Sequence, residues 1–303
     1  MEELKDSYYS YGSIGSFSDV DTKITERKDI VVQSLWTKPI TDLQRLKDTL
    51  WITALSLLYA HKNGYKVHMH TDSKGAVLLK GFGYDKLETT LDMIPASVPT
   101  DLFAAGKYYA MMKEGFVGKV HIDVDVFLKK PGVLDCFYVD KVDAICQMEE
   151  DMSQIDHSNK ITHMYVMGYP KGIRPDWKGS MNTGIVGFND AFFALNYFSL
   201  YNDALRMYKA DKFEKYKKEN GLKHLNLDFI LEQITLSYLS NKYEMHPLLP
   251  TKNVTFAADK LGYQHIQGNI KWDPGTLLKV KALIRKMDSK FYITLFKLIH
   301  TLK

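Results

Sequence analysis

Two carboxylates separated by a single residue, Asp123 and Asp125, lie in the run VHIDVDVFLKKP. Ile122, Val124 and Val126 alternate with them, so the period of two predicts a strand over His121–Val126 with both carboxylates on one face. Carboxylates this close repel each other unless a proton or a cation lies between them. Oxygen donors suit Mn²⁺ or Mg²⁺, and either ion also bridges to a substrate diphosphate. A bare pair of this kind recurs at solvated strand ends without any ligand. Here it follows two strand–helix units and sits among apolar flanks, the setting in which open α/β sheets gather ligands beyond their strand ends.

Three further segments carry groups of the right type. In MNTGIVGFN (Met181–Asn189), Gly184 lets the backbone come close to a ligand. HIQGNIKW (His265–Trp272) offers an imidazole, a glycine and a lysine. LNLDFILEQITLSYL reads as a helix on which Asp228 and Glu232, four apart, share a face, with Gln233 beside them.

HIDVDVFL resembles the D-x-D strand of GT-A glycosyltransferases, and MNTGIV resembles the N-[SA]-G-[VI] strand of glycosyltransferase family 8. HIQGNIKW is similar to the H-x-x-G-x-x-K-P-W element of the same family, except that the proline is missing and Trp272 directly follows Lys271. The likeness extends from about Val31 to Trp272. It implies a GT-A fold, that is, a Rossmann-like α/β nucleotide-diphospho-sugar transferase fold with a central mixed sheet flanked by helices. It also implies a metal site of Asp123, Asp125 and His265 taking Mn²⁺ or Mg²⁺. Asn182, Thr183 and Gly184 would then line the donor sugar, while Gly268 and Lys271 contact the diphosphate. Ser34 and Asp72, which end the first two strands, would face the nucleoside, and Lys107 would supply a further basic group. Asp228, Gln233 and Lys271 would stand at the reacting bond. The implied donor is a UDP-linked hexose, transferred with retention at the anomeric carbon.

The elements that must position these groups are legible from periodicity. Strands are predicted at Ile30–Leu35, Lys66–His70, Lys119–Val124, Asp143–Met148 and Gly184–Phe188. A long helix starts at the N-cap candidate Asp42 and stops at Asn63-Gly64, and others cover about 102–114, 190–210 and 225–240. Strands alternating with helices predict a mostly parallel sheet. The chain divides into a polar arm (1–28), a catalytic domain (29–275) and a C-terminal basic amphipathic helix (276–303).

The 303 residues carry a net charge of +4, too mild to imply nucleic acid, and no nucleic-acid-binding motif is present. Cys136 and Cys146 lie in apolar strand-like surroundings and read as small hydrophobes rather than a disulfide. MEELKDSYYS lacks the basic and apolar regions of a signal peptide, which gives the expectation of a cytoplasmic protein. From Lys279 to Lys303 seven basic residues meet one acid, a charge of +6 that leaves −2 on the remainder. Val280, Leu283, Ile284, Met287, Phe291, Leu295, Leu298 and Leu302 form a stripe there. A basic amphipathic helix can lie on the inner face of an anionic membrane, which would suit a lipid-linked acceptor; it can equally pack on its own domain or form a homodimer. The acceptor, a glycan or such a lipid, is expected over residues 149–179. Two rivals stand beside the transferase reading: a sugar-nucleotide-binding pseudoenzyme, and a nucleotidyltransferase, for which SLWTKP after the first strand supplies no glycine-rich phosphate loop.

Overall fold

The computed structural model describes residues 30–100, 102–139, 142–151, 179–207, 232–233, 235–240, 245–249, 261–266 and 268–302, with a few isolated positions besides. The predicted arm 1–28, Asp228 and most of the segment 149–179 fall outside the described residues.

Among the described residues seven strands form the central sheet: β1 (Ile30–Leu35), β2 (Lys66–Thr71), β3 (Lys86–Glu88), β4 (Lys119–Ile122), β6 (Ala144–Asp151), β7 (Gly179–Phe188) and β8 (Met245–Leu249). Their order across the sheet is β3-β2-β1-β4-β7-β6-β8. All neighbours run parallel except β7, which is antiparallel to both β4 and β6. The short strands β5 (Val126–Leu128) and β9 (Tyr263–His265) pair antiparallel as a separate ribbon. This is the α/β fold with a central mixed sheet flanked by helices that the sequence led us to expect.

Sheet residues alternate between two cores. Val31, Leu35, Val120, Ile122 and Ile185 enter one, and Val32, Cys146, Val186 and Phe188 enter the other. The first core is roofed by α1 (Leu43–Lys62) and by α7 (Pro274–Met287) and α8 (Ser289–Thr301). The second is roofed by α3 (Ala104–Glu114), α5 (Ala191–Met207) and α6 (Thr235–Ser240). Two smaller helices, α2 (Ser73–Leu79) and α4 (Asp135–Val139), complete the set of described α-helices.

Helix ends follow local chemistry. The Asp42 carboxylate accepts the Arg45 amide at 2.6 Å as N-cap of α1, a contact of the type worth about 1 kcal/mol. Gly115, at φ 90°, ends α3 in the left-handed conformation that favours glycine.

Two sequence expectations change. The strand expected over His121–Val126 is interrupted: β4 ends at Ile122, β5 begins at Val126, and the Val126 amide donates to the Asp123 carbonyl across a turn. Asp123 and Asp125 therefore share a turn, not one face of a strand. The predicted C-terminal helix divides at Asp288, which caps α8 by accepting the Phe291 amide at 2.9 Å. Its apolar stripe faces the domain core: Val280, Ile284 and Leu295 are buried there, beside Leu277 and Ile299, and Leu283, Met287, Phe291, Leu298 and Leu302 pack against them.

Candidate active site: an Asp-Asp-His cluster at the strand ends

β4 delivers Asp123 to the carboxyl edge of the sheet, beside the ends of β1 and β2. The turn then presents Asp125, and the β5–β9 ribbon sets Val126 opposite His265. Ligand atoms of Asp123, Asp125 and His265 all lie within 4.8 Å of one another. Two carboxylates and an imidazole at this spacing form a donor set that fits a divalent cation such as Mn²⁺ or Mg²⁺.

Each ligand is held by a partner. His265 Nε2 is 3.2 Å from Asp125 Oδ1, and its Nδ1 is 2.6 Å from Gln147 Oε1. An amide oxygen only accepts, so Nδ1 carries a hydrogen, and Nε2 is the nitrogen that faces Asp125. Lys271 Nζ stands 2.9 Å from Asp125 Oδ2 and 5.3 Å from the centre of the Trp272 ring. The tryptophan that directly follows Lys271 thus lies beside the ammonium it orients.

Gln147 was not legible as a site residue. It sits in β6 among Ile145, Cys146 and Met148, and a single amide in such an apolar run is the one signal it leaves. Between Cys146 and Met148 the register against β7 jumps from Val186 to Asn182, so Thr183, Gly184 and Ile185 face Gln147 alone. Such irregularities re-aim side chains next to functional sites. The irregularity also uses the N-T-G segment fully. Asn182 Oδ1 accepts the Gly184 amide at 2.9 Å, the Thr183 carbonyl accepts Lys107 Nζ at 2.7 Å, and the Gly184 carbonyl accepts the Asp123 amide at 2.8 Å. A Cβ on Gly184 would fall 2.3 Å from Gln147 Oε1 and 2.5 Å from His265 Cε1. The glycine makes room for the Gln147–His265 pair.

Lys107, on α3, is buried between acids. Its Nζ is 3.0 Å from Asp123 Oδ1 and also contacts Glu232 Oε1. Burial alone would depress its pKa; Asp123 and Glu232 reverse that and hold it raised. Asp123 is itself pushed up by burial and by the charges of Asp125 and Glu232, with Lys107 pulling the other way. Asp125 is also disfavoured by burial, yet His265 and Lys271 outweigh this and hold its carboxyl below the usual carboxylate range. Burial, then Lys107 and His70, depress His121 well below the usual imidazole value. It therefore sits neutral between Ser34 Oγ, 3.0 Å from Nε2, and Asp123 Oδ1, 3.8 Å from Nδ1.

The remaining expected residues separate by position. Ser34 reaches the cluster through His121. Asp72 is engaged within the fold: its two oxygens accept the amides of Thr37, Lys38 and Gly75 and the Thr37 hydroxyl at 2.7–2.9 Å. What it shapes is the loop after β1. Gln233 adjoins Glu232, and Gly268 opens the short 3₁₀ turn that carries Lys271. Glu232, which the sequence marks only as one acid on a helix, is joined to this group through Lys107.

A family model described as a family of unknown function, DUF6734, matches residues 30–298. No curated protein matches the chain. Among solved structures, the crystal structure of mouse xyloside xylosyltransferase 1, apo form, is similar over 72% of this chain and 84% of that chain, with 11% sequence identity and a TM-score of 0.38.

Proposed function

This chain belongs to the DUF6734 family, and from its site we propose that it is a metal-dependent glycosyltransferase that moves a hexose from a nucleoside-diphosphate sugar to a glycan or lipid-linked acceptor. The observation that carries the reading is the convergence of Asp123, Asp125 and His265 within 4.8 Å, with Lys271 2.9 Å from one of them.

In this reading Asp123, Asp125 and His265 hold the divalent ion, whose chemistry is to neutralise charge on a departing diphosphate. Lys271 adds a second positive charge on the same side, where leaving-group charge grows in the transition state. Gly268 offers backbone next to that diphosphate, and the polar irregularity of β7 at Asn182–Gly184 borders the donor sugar. Lys107 keeps Asp123 and Glu232 at fixed separation and so shapes the cleft instead of contacting phosphate. Gln233 flanks Glu232 and is the amide proposed near the anomeric carbon. UDP-hexose as donor and retention of configuration are the finer parts of the proposal, carried by the likeness of the D-x-D, N-T-G and H-x-x-G-x-x-K segments to family 8.

A nucleotidyltransferase would need free backbone amides after β1 to cradle phosphates. The amides of Thr37 and Lys38 are instead given to Asp72, which disfavours that rival.

A thermal-shift screen with UDP-, GDP-, CMP- and dTDP-sugars, with and without Mn²⁺, tests the reading. Stabilisation by a UDP-sugar that needs Mn²⁺ and disappears in Asp125→Ala is expected. Undiminished binding or turnover in excess EDTA would remove the metal from the account. Metal-dependent binding without turnover against any acceptor would favour the pseudoenzyme.

A further inference from the structure

The surface farthest from expectation is the outer side of the C-terminal helix pair. Because α7 and α8 turn their buried stripe inward, a different set of apolar residues faces out: Leu278 is 67% exposed, Ile293 53% and Phe296 43%. Between the helices runs an open groove of about 530 Å³ lined by Leu278, Lys281, Ala282, Arg285, Lys286 and Tyr292. At its base Tyr292 packs on Trp51 with ring centres 5.3 Å apart, and Lys281 Nζ lies 5.6 Å over the same indole. From Tyr292 an aromatic row continues along α8, to Phe296 at 6.1 Å and on to His300 at 3.8 Å.

We infer that this face docks the protein on an anionic phospholipid surface, with lipid phosphates taken by Lys281, Arg285 and Lys286 and the aromatic row seated at the headgroup level. Charge complementarity selects the occupant. The segment Lys279–Lys303 carries +6 while the remainder of the chain carries −2, so the excess positive charge of the sequence lies in the segment that forms this helix pair. A symmetric pairing of two copies through this face would bring like charges together, which disfavours a second copy as the occupant. An uncharged apolar partner would leave the cations desolvated and unpaired. A surface of anionic headgroups over acyl chains satisfies both the cations and the exposed Leu278, Ile293 and Phe296. Among the described residues no helix is long and apolar enough to cross a membrane, so the contact is one of lying on the surface. The inference is independent of the chemistry at the Asp-Asp-His cluster.

Vesicle sedimentation of the full chain tests it, using phosphatidylcholine alone and phosphatidylcholine with about 30% phosphatidylglycerol at about 0.1 M and 0.5 M salt. Truncation is the wrong variant, because α7 and α8 supply core residues such as Ile284 and Ile299. Arg285→Gln with Lys286→Gln, both exposed, leaves the core intact. Binding to the anionic vesicles is expected, weakened by high salt and about thirtyfold weaker in the double variant, with Phe296→Ser also reduced. Negligible binding to anionic vesicles would overturn the inference, as would equal binding to neutral ones. Retention on heparin without vesicle binding would assign the patch to a soluble polyanion and overturn it likewise.

Discussion

Gln147 Oε1 lies 2.6 Å from Nδ1 of His265, a contact between residues 118 positions apart that fixes which imidazole nitrogen faces Asp125. Side chains that orient a metal-binding histidine in this way typically change metal affinity 10–100-fold when removed. Gln147→Leu should therefore weaken Mn²⁺ binding by about that factor, as read by calorimetry, with His265 still in place. Gly184→Ala should do the same by pressing a methyl into the pair. Unchanged Mn²⁺ affinity in both variants would show that His265 needs no such support.

Lys107 is the buried cation between Asp123 and Glu232. Lys107→Met leaves those acids facing each other without compensation, and losing one partner of a buried ionic group costs about 3–5 kcal/mol. Denaturant unfolding should show a loss of that order. Adding Glu232→Gln should restore part of it, because one of the stranded charges is then gone. A fully additive double variant would mean that Lys107 and Glu232 do not interact.

Lys271 touches Asp125 and stands beside Trp272. If it acts on leaving-group charge, Lys271→Ala should lower kcat about 10²-fold and change KM little. Trp272→Leu should give a smaller loss of kcat. A defect confined to KM would make the lysine a ground-state binding group.

Away from the cluster, Glu114 ends α3 and contacts His68 Nδ1 at 3.1 Å, His70 Nε2 at 3.1 Å and Lys86 Nζ at 3.0 Å. Burial would raise its pKa, but these three donors outweigh it and hold the carboxyl well below the usual range. A carboxylate whose folded pKa is depressed adds stability that is complete above its unfolded pKa of about 4.3 and is lost as pH falls below it. Glu114→Gln should therefore be less stable than the unaltered chain by about 1–3 kcal/mol near pH 6. The two should converge progressively below about pH 4 in thermal melts. A gap that does not shrink on acidification would place the effect in packing, not in charge.

Local pattern in the sequence specified most of the elements. A continuous apolar run marks β1, alternating ones mark β2 and β4, and Asp42 and Asn63-Gly64 mark where α1 starts and stops, because caps and periodicity act over a few residues. Asp123 and Asp125 stand out in the sequence by residue type and spacing, and His265 joins them there only through the likeness of HIQGNIKW to the family 8 element. Gln147 and Glu232 acquired their partners only through folding: an irregular register between β6 and β7 aims one, and α3 brings Lys107 to the other. The same holds for the C-terminus, whose stripe and charge are visible in the sequence. Which apolar residues face the core and which face outward was decided when Asp288 split the helix and α1 took one side of it. Contacts between residues far apart in the chain leave no periodic trace, since they depend on how complete elements pack and not on the neighbours of either residue.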